Sequence, residues 1–103
     1  MDKTTSQIIK KLEKFKYDNQ LQKIIFFGSR WKGKPKRWSD IDLILISSRF
    51  DKLKSFQRAP TLRLKWNLHY PVDMLCYTSK EFDKKKNLPT IVREAARTGI
   101  EVK

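Results

Sequence analysis

Two aspartates one residue apart, Asp40 and Asp42, open the apolar run that ends at Ile46. Ten residues separate Asp40 from a Gly28-Ser29 pair, which itself closes the apolar run Ile24-Ile25-Phe26-Phe27. Side chains alternate between faces along a strand, so Asp40 and Asp42 would point the same way, with Cα atoms roughly 6.6–6.8 Å apart. That is close enough for two carboxylates to converge on shared cations. A Gly-Ser pair after a strand can turn backbone N–H groups and a hydroxyl toward phosphate oxygens. A phosphate cradle beside paired carboxylates suits metal-assisted chemistry on a nucleotide. A third acid, Asp73, sits in the later segment PVDMLCY. Each feature alone is weak, because Gly-Ser turns and acids at strand starts are common. Their joint spacing, with the acids set in otherwise apolar strands, gives the pattern its weight.

The composition fits such a role. At 103 residues the chain is expected to form one domain, 1–103, with a modest core. Twenty-four Lys and Arg against eleven Asp and Glu leave a net charge of +13, a field that attracts nucleotides, nucleic acid or an acidic partner. No apolar run approaches the ~20 residues that cross a bilayer, so no membrane role is expected. The first fifteen residues lack the apolar block of a secretory signal. One cysteine, Cys76, excludes an internal disulfide and a cysteine-rich zinc site, and a cytoplasmic, reducing home is expected.

Several elements must position these residues. Thr4-Thr5-Ser6-Gln7 reads as a capping box before Ile8, Ile9, Leu12 and Phe15, one face of a helix that ends at Asp18-Asn19. Residues 21–27 read as a strand, and Gly33 and Pro35 limit any helix beginning at Ser29 to about one turn. A second strand covers 40–47, apolar on both faces beyond its aspartates, as in a buried strand. Residues 49–66 read as a helix broken at Pro60, followed by the alternation Leu62, Leu64, Trp66. Residues 71–77 form a third strand, carrying Asp73. Thr78 to Glu81 is a second capping box, starting a short helix to about Lys85. Pro89 suits the first turn of a last helix, with Leu88, Val92, Ala95 and Ala96 inward and Gly99 past its end. Residues 100–103 add a short strand or a tail. The expected class is α/β (α+β): a small mixed sheet of three to four strands with helices packed on it.

The arrangement G-S-x10-D-x-D, with a third aspartate on a later strand, resembles the nucleotidyltransferase superfamily of DNA polymerase beta, and the chain's size resembles its minimal nucleotidyltransferase branch. The family pattern G-S-x-A-R-G…S-D-I-D-L stands here as G-S-R-W-K-G…S-D-I-D-L, and VDMLCYTSKEF is similar to that branch's third strand and following helix. The departures are Trp31, where the family prefers a small residue, and Lys32, where it prefers Arg.

The resemblance implies a polymerase beta-like nucleotidyltransferase fold and transfer of a nucleoside monophosphate from ATP or another NTP to a hydroxyl acceptor. Two Mg²⁺ ions would serve as cofactor, held roughly 3.5–4 Å apart in two-metal sites. Gly28 and Ser29 would hold the β and γ phosphates, with Arg30 beside them. Asp40 and Asp42 would ligate both ions. Asp73 would ligate the ion that activates the nucleophile and accept its proton. The resemblance also implies a small helical HEPN partner, toward which such proteins act as antitoxins by adding AMP. A shared acceptor site with that partner or with a second copy, as a homo-oligomer, is the expectation for so short a chain. A transferase acting on RNA ends such as tRNA, and a non-catalytic module binding nucleotide, nucleic acid or a protein partner, are the rival readings.

Other residues carry less. The cluster Arg30, Lys32, Lys34, Lys36 and Arg37 suits either triphosphate and nucleic-acid neutralisation or a solvated basic loop. Lys84-Lys85-Lys86 suits a helix end. His69 is expected at the surface, Trp66 in packing, and Cys76 as a buried small hydrophobe, while Trp31 and Trp38 are open to packing or base stacking.

Overall fold

A computed structural model describes residues 3–28, 30–31 and 40–103. Helix α1 (Lys3–Asp18) is amphipathic and buries Thr5, Ile8, Leu12 and Phe15 along one stripe. The Thr4–Gln7 pattern lies inside this helix rather than at its start, because the buried stripe already includes Thr5 in the first turn. Strand β1 (Lys23–Phe27) follows, then β2 (Ile41–Ile46), each almost wholly buried beyond its first residues. A 3-10 turn (Ser48–Lys52), capped by the Ser47 hydroxyl accepting from the Arg49 N–H, leads to α2 (Ser55–Arg63). Strand β3 (Val72–Tyr77), α3 (Ser79–Lys85), α4 (Ile91–Thr98) and β4 (Ile100–Val102) complete the order.

The sheet runs β3-β2-β1-β4. Strand β1 is antiparallel to both β2 and β4, whereas β2 and β3 are parallel, joined by the crossover through α2. The architecture is thus a mixed α+β layer. One face of the sheet, through Ile24, Phe26, Leu43, Leu45, Met74 and Val102, packs on Ile8, Leu12 and Phe15 of α1 and Leu62 of α2. The other, through Ile25, Phe27, Ile44 and Ile46, packs on Phe82 of α3 and on Val92 and Ala95 of α4. Truncating a wholly buried strand residue such as Leu43 to Ala would cost about 2–5 kcal/mol.

Three local expectations change. Pro60 does not break its helix: it sits inside α2 on the exposed side, so its missing N–H leaves a carbonyl to water. The alternating Leu62, Leu64 and Trp66 do not share one face either: Leu62 is buried, Leu64 is 89% exposed, and Trp66 packs edge-on to Phe15 at 5.4 Å. In the last helix Thr90 is the cap, so Pro89 lies before the first turn, and Leu88 and Ala96 face solvent while Val92 and Ala95 are buried. Gly99 lets α4 turn straight into β4. A Cβ there would stand 2.7 Å from the Ala95 carbonyl oxygen and 2.8 Å from that of Phe26.

Candidate active site at one end of the sheet

Strand alternation puts Asp42 on the α3/α4 face with Ile44 and Ile46, and the same alternation puts Asp73 with Leu75. The parallel pairing then sets Asp42 directly opposite Asp73. Neighbouring strands are about 4.8 Å apart, so the two carboxylates leave adjacent backbones on the same side. Asp40 precedes β2 by one residue and is exposed; Asp42 is half-buried and Asp73 exposed. Burial pushes the Asp42 carboxyl above its usual range, and the charges of Asp73 and then Asp40 push it further. The three acids therefore share one electrostatic neighbourhood.

Gly28 closes the other side. It ends β1, whose Phe27 pairs with Asp42, and takes a φ of +87° that side chains disfavour. A Cβ there would overlap the Asp42 Oδ2 and stand 3.1 Å from its Cγ. A glycine is required twice over, by its backbone and by the carboxylate lying against it. Ser29 and the stretch 32–39, with most of the basic cluster, lie outside the described residues.

Arg30 is not turned outward. It is 7% exposed, with its guanidinium 4.6 Å from the ring centre of Tyr70, a cation–π arrangement that anchors the turn after β1 to the segment before β3. Trp31 packs against Phe26, ring centres 6.0 Å apart, and its indole N–H donates to the Thr98 carbonyl at 3.0 Å. A large residue is accommodated here because it spans the β1 end and the α4 end instead of filling the turn. His69 is exposed, and Cys76 is buried with its thiol pushed up to about 11.

One residue at the site had no signal in the sequence. Arg63, in the last turn of α2, reaches Asp73 with Nη2 at 3.8 Å from Oδ1, both side chains more than half exposed. Its placement depends on α2 continuing through Pro60. A second unforeseen cation, Arg58, is buried; its Nη1 donates to Glu81 at 2.6 Å and to the Cys76 carbonyl at 3.2 Å, tying α2 to the cap of α3.

The oxygen-only donor set suits a hard cation such as Mg²⁺. Among the described residues no three His, Cys, Asp or Glu side chains are drawn together as a ready-made metal cage. The Asp42 carboxylate feels repulsion from the charges of Asp73 and Asp40, and Asp73 has Arg63 within 3.8 Å. A divalent cation would neutralise that repulsion. The residues present fit the group in chemistry: carboxylate oxygens on adjacent strands that raise one another's cost of ionisation.

Comparison with curated proteins yields no match. Among solved structures, the chain is similar to a candidate nucleotidyltransferase from Sulfolobus solfataricus, at 20% identity and a TM-score of 0.57, over 76% of this chain and 73% of that one. That likeness concerns the fold. The sequence model of the nucleotidyltransferase domain matches residues 6–98, from the first turns of α1 to the end of α4. A match over so much of the length means that this chain belongs to the nucleotidyltransferase domain family.

Proposed function

We propose that this protein transfers a nucleoside monophosphate from a nucleoside triphosphate, ATP foremost, to a hydroxyl acceptor, with Mg²⁺ as cofactor. One observation carries the reading: Asp42 and Asp73 are register partners on one face, and the α-carbon of Gly28 lies against the Asp42 carboxylate. Asp40, Asp42 and Asp73 would hold the metal. Bound there, it supplies polarisation of the attacking hydroxyl and neutralises charge on the triphosphate and the departing pyrophosphate. The backbone at Gly28 and Ser29 would cradle the β and γ phosphates, while Arg30, stacked on Tyr70, fixes the loop and adds positive charge at its foot. The acceptor oxygen forms a bond to the α-phosphorus as the bond from that phosphorus to the bridging oxygen breaks. Pyrophosphate leaves, and the hydroxyl proton passes to Asp73 and on to water.

The acceptor we favour is a hydroxyl of a small helical HEPN-type partner, this chain acting as its antitoxin by adding AMP. An RNA end is the rival acceptor. Incubation with labelled ATP, Mg²⁺ and each acceptor tests the reading, with Asp42→Asn and Asp73→Asn beside the parent. Transfer should fall at least about 100-fold in either variant, the scale of losing a catalytic group, and should stop with a chelator. The Arg63–Asp73 ion pair favours one alternative, a module that binds nucleotide without transferring it. Nucleotide binding indifferent to Asp42→Asn, with no transfer to any acceptor, would decide for that alternative.

A further inference from the structure

We propose a second binding surface, a basic groove that takes the sugar-phosphate backbone of single-stranded nucleic acid. Two hollows, of about 490 Å³ and 320 Å³, adjoin one another at Asn19 and Lys65, which line both, and together make up the groove. The groove runs from the C-terminal half of α1 past the end of α2 to the 3-10 turn. It includes Asn19 and Leu21, which lead into β1, and Ser47, which follows β2. Gly28 leaves β1 and Asp42 enters β2 at the opposite ends of those strands, so the part of the groove at Leu21 and Ser47 is remote from these two residues.

Its charge is one-sided. Lys11, Lys14, Arg49, Lys52 and Lys65 line it, against a single acid, Asp18. Asp18 is already paired with Lys14 at 2.7 Å. Among the described residues Lys11, Lys52, Lys65 and Arg49 make no ion pair, and the Arg49 guanidinium is held in place by donating to Gln20 Oε1 at 2.7 Å. Four cations of one sign around one groove repel one another in the unbound chain, and a polyanion laid along them relieves that cost. The floor, including Phe15 and Phe50, is nearly fully buried and offers no aromatic face for stacking. Recognition would therefore be of the backbone, indifferent to sequence and strongly salt-dependent. A flexible single strand can bend into two adjoining hollows with basic linings, whereas a stiff, convex duplex cannot follow them.

The test is fluorescence anisotropy of a labelled 20-nucleotide single-stranded RNA, titrated with the full chain at several salt concentrations. Lys11→Gln, Lys52→Gln and Lys65→Gln are combined in one variant, and Lys80→Gln, Lys84→Gln and Arg97→Gln, on α3 and α4, in another of equal net charge. Thermal melts confirm that both fold. Each lost phosphate contact lowers the logarithmic salt slope by about 0.7, so the groove variant should lose about 2 from the slope and at least about tenfold in affinity near 0.1 M salt. The control variant should lose no more than about threefold. Equal weakening in the two variants would mean that overall charge alone binds RNA, and would overturn the groove. So would equal competition by a polyglutamate chain, tighter binding of a duplex, or no binding by the parent at 0.1 M salt.

Discussion

Replacing Gly28 by alanine probes the closest approach in the candidate site. Two costs arise from separate causes. At φ +87° an L-residue is strained, by about 1–2 kcal/mol in the left-handed region. The new methyl also overlaps the Asp42 carboxylate, which must leave its rotamer at a cost of about 0.5–1.5 kcal/mol. Their sum, about 2–3 kcal/mol, corresponds to a melting temperature lower by about 10–20 °C in a domain of this size. The two parts separate in a cycle with Asp42→Ala. Removing the carboxylate removes the overlap and leaves the backbone strain, so Gly28→Ala should cost about 1 kcal/mol less in that background. Urea denaturation of the four proteins measures this coupling. In the parent background, transfer should fall much further than stability predicts, about 100-fold, because a displacement of about 1 Å at a reacting group has that effect. Additivity within about 0.3–0.5 kcal/mol would refute the contact between loop and carboxylate, and with it the geometry on which the transfer reading stands.

Two further perturbations test the electrostatics. Asp42 titrates above its ordinary 3.8 in the folded chain, so between that value and its raised one the native state holds the extra proton, and stability falls as pH rises through the window. Asp42→Asn abolishes the effect: the variant should match the parent below about pH 3.8 and be the more stable of the two at neutral pH, because burial first, and then the charges of Asp73 and Asp40, oppose the ionised carboxylate. Millimolar Mg²⁺ should raise the melting temperature of the parent and leave that of the variant unchanged. Glu81 behaves oppositely. The hydrogen bond from Arg58, then that from the Thr78 N–H, holds its carboxyl below 4.5, so its contribution is present above pH 4.5 and is lost as pH falls through the lowered value. With the Glu81 side chain 40% exposed, Glu81→Gln should cost about 1 kcal/mol at pH 7 and flatten the acid limb of the stability curve. Arg58→Ala should cost more, about 2–3 kcal/mol by urea denaturation, since it also strips the Cys76 carbonyl of its buried donor.

What could be read from the chain, and what could not, divides along a physical line. The strands and the orientation of Asp42 follow from a period of two and from apolar runs bounded by Gly28 and Asp40, properties local to a few residues. That Asp73 belongs to a strand was legible in the same way. That it stands opposite Asp42 was not, because register between parallel strands is set by the crossover, here α2 and the segment to Pro71. The reading of α2 failed at Pro60, where propensity argued for a break and the buried stripe of Arg58 and Leu62 prevailed. The helix read from the sequence reached Arg58 and stopped short of Arg63, and the acid that each contacts lies on a distant element that only the fold brings near. Arg30 was singled out by its adjacency to Gly28-Ser29, but its burial and its stack on Tyr70, forty residues on, come only with the fold. Acids set by strand periodicity were thus placed from the sequence, and the cations that face or flank them were not. The reason lies in reach: an aspartate goes where its backbone goes, while an arginine on a long stem is positioned by whichever distant partner the fold brings within range.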